Sequence, residues 1–70
     1  MKKEIKIDGM MCAHCKEHVE KALEMIDGVS ARADIEKKCA IVESQSTISN
    51  ETLIKAVKDA GYDPAGITDL

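Results

Sequence analysis

The sequence contains no phenylalanine and no tryptophan, and Tyr62 is its only aromatic residue. A core built without large rings must be aliphatic and thin, and a single aromatic side chain gives no platform for stacking nucleic-acid bases. Basic residues are not in excess either, because ten Lys and Arg stand against thirteen Asp and Glu, for a net charge of −3. Without an excess of positive charge, binding to phosphates is not favoured. These absences exclude nucleic acid as a partner.

Long apolar runs are also missing from this chain of 70 residues. No stretch approaches the roughly 20 apolar residues that a membrane-spanning helix needs. Behind the first two lysines, the charged residues Glu4, Lys6 and Asp8 interrupt any apolar segment, which argues against a secretory signal. We therefore expect a single domain over residues 1–70, without membrane insertion, in the cytoplasm.

Sulfur is abundant by contrast, with three cysteines and four methionines. An odd number of cysteines without a secretory signal does not suit a framework of disulfides. The composition favours metal or thiol chemistry in a reducing compartment.

The spacing of apolar residues predicts six elements in the order β-α-β-β-α-β. Strands are predicted over 2–7, 29–35, 39–44 and 62–67, and helices over 15–26 and between an N-cap at Ser49 and a terminating Gly61. The predicted fold class is α+β, a ferredoxin-like sandwich in which a four-stranded antiparallel sheet carries two helices on one face.

Three finer features follow from the same patterns. Residues 19–24 and 53–58 share a helical motif, as two β-α-β halves on one sheet would produce. In the first helix the charged residues, Glu20 among them, are predicted to face water. Alternation in the third strand places Cys39 on the open face of the sheet, where we interpret it as a bystander.

The densest group of reactive side chains is the segment 9–15, which reads G-M-M-C-A-H-C between the first strand and the first helix. Two residues separate Cys12 from Cys15, so both sulfurs can reach one ion when Cys12 lies in the loop and Cys15 in the first helical turn. The start of a helix also favours thiolate over thiol. We predict that Cys12 and Cys15 bind one soft ion, Cu(I) first, with Zn(II) or another soft metal as alternatives.

Other uses of a C-x-x-C pair fit less well. Attachment of haem needs a histidine directly after the second cysteine, where this chain has Lys16. A structural zinc site needs a second pair of ligands, which the chain does not offer. A thiol-disulfide enzyme stays open as an alternative, although the element order and the length do not suit a thioredoxin-like fold.

The segment G-M-M-C-A-H-C resembles the G-M-x-C-x-x-C signature of heavy-metal-associated domains. This family comprises soluble copper chaperones and the N-terminal modules of copper-transporting P-type ATPases. The element order and the residues 60–62, Ala-Gly-Tyr, extend the resemblance over essentially the whole chain. It implies a ferredoxin-like fold and a non-enzymatic protein similar to the bacterial cytosolic copper chaperones.

The resemblance also assigns roles to individual residues. Cys12 and Cys15 take the positions of the metal ligands. Met10 takes the position of a buried methionine that packs under the metal loop and does not bind metal. Tyr62 matches the residue of bacterial members that faces the metal.

Two further residues of the motif are candidates for a supporting role. Met11 stands where the family often has Thr or Ser, and its thioether is a candidate third soft ligand. His14 lies between the two cysteines, where we expect an exposed side chain that contributes when two molecules share one ion.

The expected function is that of a Cu(I) metallochaperone that passes copper, by exchange of thiolate ligands, to the metal-binding domain of a copper-transporting P-type ATPase. The alternatives are a detached regulatory module of such an ATPase and a thiol-disulfide redox protein. We expect a monomer, with a metal-bridged homodimer as a further state.

Overall fold

The computed structural model describes all residues, 1–70. Its elements are β1 (Lys2–Asp8), α1 (Ala13–Glu24), β2 (Val29–Asp34), β3 (Cys39–Ser44), α2 (Asn50–Asp59) and β4 (Asp63–Asp69). Every predicted strand and helix is present in the predicted order, and the ends differ by no more than two residues. Neither helix combines the length and the apolar character that crossing a membrane demands.

The four strands form one antiparallel sheet in the order β2-β3-β1-β4. β1 is an inner strand that pairs with both β3 and β4. β4 lies at an edge, where the missing N–H of Pro64 is tolerated. The predicted ferredoxin-like arrangement is confirmed.

An aliphatic core fills the space between the two helices and one face of the sheet. It consists of Ile5, Ile7, Met10, Val19, Leu23, Val29, Ala33, Ala40, Val42, Leu53 and Val57. No polar or charged side chain is buried. The fold therefore depends on a single thin apolar layer, in which each side chain carries a large share of the burial.

The two helices bury equivalent positions, as their shared motif predicted. Each contributes two residues one turn apart, Val19 and Leu23 in α1 and Leu53 and Val57 in α2. Ser49 is the N-cap of α2, as predicted, since its Oγ accepts a hydrogen bond from the backbone N–H of Thr52 at 3.2 Å.

Glu20 of α1 does not face water, contrary to the prediction. It is half-buried, and its carboxylate accepts a hydrogen bond of 2.9 Å from the backbone N–H of Ala33. Because β2 is an edge strand, such an N–H has no neighbouring strand to donate to. Glu20 supplies that acceptor and ties α1 to the edge of the sheet.

The two chain ends lie beside each other at one end of the sheet. The carbonyl oxygen of Met1 accepts from the N–H of Ser44, and the N–H of Leu70 donates to the carbonyl oxygen of Lys2, both at 3.0 Å. β1 runs from this end to the opposite end, where the loop over 9–12 connects it to α1.

Candidate metal centre

The loop over 9–12, named the metal loop from here on, carries the first cysteine and is anchored at its base. Gly9 follows β1 with a φ of +90°, a left-handed conformation that glycine adopts without steric cost. The side chain of Met10 then enters the core and is only 1% exposed. Met11 and Cys12 are exposed directly beyond this anchor, so the loop presents its sulfur atoms on a fixed base.

Cys12 and Cys15 are brought together by the start of α1. Cys12 is the N-cap, and its carbonyl oxygen accepts the N–H of Lys16 at 3.0 Å, which begins the helix. Cys15 lies in the first turn, and the two Sγ atoms are 3.0 Å apart. Both are free thiols, exposed in Cys12 and half-buried in Cys15. The Cys12 side chain makes no capping hydrogen bond, so both sulfurs are available to a single ion at the surface.

The surroundings of this pair favour negatively charged sulfur. The first turn of α1 contains no acidic residue, so the positive end of the helix dipole is not neutralised there. The pKa of Cys15 is lowered from 9.0 to about 7, mainly by a hydrogen bond from Tyr62 and further by Cys12 and by the backbone of Met11. A pKa lowered to this range favours the thiolate of Cys15 near neutral pH far more than an ordinary cysteine pKa does.

Tyr62 is positioned from two directions, the first of which is the end of α2. The N–H of Gly61 donates to the carbonyl of Lys58 at 2.9 Å, and the N–H of Tyr62 donates to the carbonyl of Val57 at 3.2 Å. This is a Schellman motif, and the φ of +93° at Gly61 is the left-handed conformation that it requires. The motif fixes where the backbone of Tyr62 leaves the helix.

The second direction is the pairing of β4 with β1. β4 carries one extra residue, Ala65, between the residues that pair with Lys6 and Ile7 of β1. This bulge shifts the register of the two strands by one residue. When the pairing is continued by one position past its last pair, Gly9 lies opposite Tyr62. The Cδ1 atom of Tyr62 lies 3.9 Å from the point where a Cβ atom on Gly9 would stand. The ring therefore lies against the start of the metal loop.

We predict that Tyr62→Phe raises the pKa of Cys15 from about 7 toward 9.0, because phenylalanine keeps the ring and cannot donate the hydrogen bond. The same hydrogen bond raises the pKa of Tyr62 to about 12, as expected for a donor to a thiolate. The pH dependence of alkylation at Cys15, followed by mass spectrometry on the metal-free protein, measures this change. Less thiolate should be present at pH 7 in the variant, and an unchanged pH profile would contradict the assignment.

The remaining residues of the motif lie on the surface. Met11 is 81% exposed, and His14 is exposed as well. Nowhere in the chain do three or more His, Cys, Asp or Glu side chains group closely enough to hold a metal ion. The structure thus brings together Cys12, Cys15 and Tyr62, and it does not bring His14 into a ligand set.

Cys39 lies on the sheet face that no helix covers, as predicted. It pairs with Lys6 and Asp34, whereas its neighbour Ala40 belongs to the core on the other face. The side chain is nevertheless only 1% exposed, and this burial is the main reason that the pKa of its thiol is raised. Strand alternation predicts on which face of the sheet a side chain lies. It does not predict whether neighbouring side chains bury it, so the sequence carried no signal for the burial of Cys39.

Cys39 is buried whereas Cys12 and Cys15 reach the surface, and this difference in exposure predicts how fast each thiol reacts. Cys12 and Cys15 should be alkylated rapidly in the folded, metal-free protein, and Cys39 slowly, because a buried thiol with a raised pKa contains little accessible thiolate. Time-resolved alkylation with peptide mapping counts the modified sites, and denaturant should release the third. Equal rates at all three cysteines would be inconsistent with the buried position of Cys39.

The fold and the site define a class of protein, a ferredoxin-like domain with one pair of adjacent thiols at the start of its first helix. The family model "Heavy-metal-associated domain" matches residues 4–63. The chain belongs to the heavy-metal-associated domain family.

Individual relatives agree with this membership. The chain is 40% identical over 63 residues to "Copper chaperone CopZ" of Staphylococcus haemolyticus (strain JCSC1435), covering 87% of this chain and 93% of that protein. Among solved structures it is similar to "CopZ metallochaperone", with a TM-score of 0.87, 36% identity and coverage of 93% of this chain and 100% of the other. It is also similar to a copper binding domain from HMA7, a P-type ATPase, with a TM-score of 0.81, 29% identity and coverage of 100% and 95%.

Proposed function

We propose that this chain is a cytoplasmic copper chaperone that binds one Cu(I) ion between Cys12 and Cys15 and passes it to a C-x-x-C domain of a copper-transporting P-type ATPase. The observation that carries the proposal is the approach of the two Sγ atoms to 3.0 Å at the start of α1. The similarity to proteins named copper chaperones supports the choice of cargo, and the similarity to a P-type ATPase domain supports the choice of partner.

The donor set favours Cu(I) over Zn(II). Two thiolates suit a soft monovalent ion that accepts low coordination, whereas Zn(II) takes four ligands in most protein sites. No group of three or more His, Cys, Asp or Glu side chains is available to complete such a site. Two thiolates and one Cu(I) leave a net charge of −1, which the start of α1 stabilises.

Low coordination also explains how a tightly bound ion can leave. A thiol of the partner gives up its proton, and the resulting thiolate forms a bond to the ion, which then has three sulfur ligands. One of the original bonds to Cys12 or Cys15 breaks, and the released thiolate takes up a proton. Copper remains Cu(I) throughout, so the transfer needs no oxidant or reductant and no covalent bond of a substrate is changed.

A transfer experiment tests the proposal. The chain is loaded with one equivalent of Cu(I) and mixed without oxygen with a metal-free C-x-x-C domain of a copper-transporting ATPase, and the copper in each protein is measured after separation. Copper should move to the ATPase domain and should also move back when that domain is the donor. A partner in which both cysteines are serine is the control, and release at the same rate with this control would rule out ligand exchange.

A second candidate function is that of a metal-binding regulatory module of a P-type ATPase, which the similarity to a copper binding domain of HMA7 favours. Addition of the separate, copper-loaded chain to the metal-free transporter distinguishes the two. A chaperone supplies copper for transport from solution, whereas a module acts only when it is joined to the transporter. Sedimentation with and without Cu(I) further tests the proposed monomer against a metal-bridged homodimer.

A further inference from the structure

Two neighbouring methionines in the metal loop have opposite environments. The side chain of Met10 is 1% exposed and belongs to the core, whereas that of Met11 is 81% exposed. Met11 is also not one of the partly buried apolar residues that pack against the core. Its thioether therefore contributes nothing to the packing of the fold.

The backbone of Met11 is nevertheless held beside the thiol pair. Met11 directly precedes Cys12, which is the N-cap of α1 and whose Sγ atom lies 3.0 Å from that of Cys15. The main chain is thus fixed next to both sulfurs, while the side chain extends into solvent on three rotatable bonds. A thioether attached at this point can fold back over an ion that lies between Cys12 and Cys15.

The chemistry of the site leaves room for such a contact. Two thiolates do not fill the coordination sphere of Cu(I), and no third His, Cys, Asp or Glu side chain is grouped with them. A thioether is a soft and neutral ligand, so it suits Cu(I) and adds no charge, whereas it is a poor ligand for Zn(II). As a neutral donor it binds more weakly than thiolate and is displaced first.

We propose that the thioether of Met11 is a third, weak ligand of the Cu(I) ion held by Cys12 and Cys15, in the coordination position that the thiolate of the partner takes during transfer. This inference rests on the proposed function. Met11 then shields the ion from small thiols between encounters with a partner, and it leaves without a change in charge when the stronger ligand arrives. It also makes the site more selective for Cu(I) over Zn(II).

Met25 is a matched internal control. It is 85% exposed, and it lies at the C-cap of α1, the opposite end of the helix that Cys12 begins. In protein labelled at the methionine methyl groups and titrated with Cu(I) without oxygen, the NMR signal of the Met11 methyl should shift up to one equivalent. The signal of the Met25 methyl should stay in place. Equal shifts, or a shift at neither residue while copper binds, would overturn the inference.

Leucine substitutions distinguish ligation from mere proximity, because leucine keeps an apolar side chain and removes only the sulfur. Met11→Leu should release Cu(I) to a competing chelator several-fold faster than the unmodified chain, with unchanged Zn(II) affinity, and X-ray absorption should show the loss of one copper–sulfur contact. Met25→Leu should behave like the unmodified chain. Identical release from both variants would refute the role of Met11 while leaving copper binding by the cysteines intact. Failure of the unmodified chain to bind Cu(I) would refute the proposed function as well.

Discussion

Replacing either Cys12 or Cys15 with serine is expected to lower the affinity for Cu(I) by several orders of magnitude. Serine keeps the size and the position of the side chain, but its hydroxyl stays protonated and is a hard donor that Cu(I) does not favour. The variant retains one thiolate, and no third His, Cys, Asp or Glu side chain is grouped with the pair to replace the lost one. Competition with a chromophoric Cu(I) chelator under anaerobic conditions measures the loss.

Cys39→Ala is the matched control for these variants. It also removes one thiol, but from the face of the sheet opposite the core and with its side chain buried. Its Cu(I) affinity should equal that of the unmodified chain, which separates loss of the site from loss of a cysteine in general. Unchanged affinity in both serine variants, or a comparable loss in Cys39→Ala, would show that copper is held elsewhere.

Met10→Ala is expected to destabilise the metal-free protein by about 2–5 kcal/mol, as large-to-small substitutions in a core do. Met10 is 1% exposed and belongs to a core that has no Phe or Trp to fill the space left by the lost side chain. A domain of this size has only about 3–5 kcal/mol of net stability from its core. A large fraction of the variant should therefore be unfolded at room temperature, which denaturant titration followed by circular dichroism measures.

The neighbouring substitution Met11→Ala is the control, because it removes a side chain of the same size that is 81% exposed. Its effect on the free energy of unfolding should stay within about 0.5 kcal/mol. Copper should partly restore the fold of Met10→Ala, since a ligand that binds only the folded state shifts the equilibrium toward it. Equal destabilisation by the two substitutions would mean that Met10 does not anchor the loop.

Much of the fold was predictable because it depends on local patterns. Alternating apolar residues mark β1 and β2, β-branched residues mark β3, and helical spacing marks α1 and α2. Ser49 and Gly61 stand where capping residues are expected. The proximity of the two proposed ligands was predictable for the same reason. Residues 12 and 15 meet within one turn of one helix, so no knowledge of the rest of the fold is needed.

The features that were not predictable depend on distant parts of the chain. Tyr62 meets the metal loop because of the bulge at Ala65, and a bulge leaves no clear pattern of apolar residues. The sequence alone indicated Tyr62 only through the resemblance to the family. Glu20 bonds to the sheet because β2 is its edge, and Cys39 is buried because its neighbours cover it. The order of the strands and the burial of a side chain by its neighbours are both properties of the tertiary structure.

The position of the chain ends has a practical consequence. Met1 and Leu70 lie where β1 begins, and the metal loop follows where β1 ends, seven residues away. At about 3.3 Å per residue the strand keeps roughly 23 Å between the termini and the thiols. A linker attached at either end would therefore leave the binding loop pointing away from the point of attachment. Several copies could be joined in series or fixed to a solid support, each with its thiols open to an approaching partner.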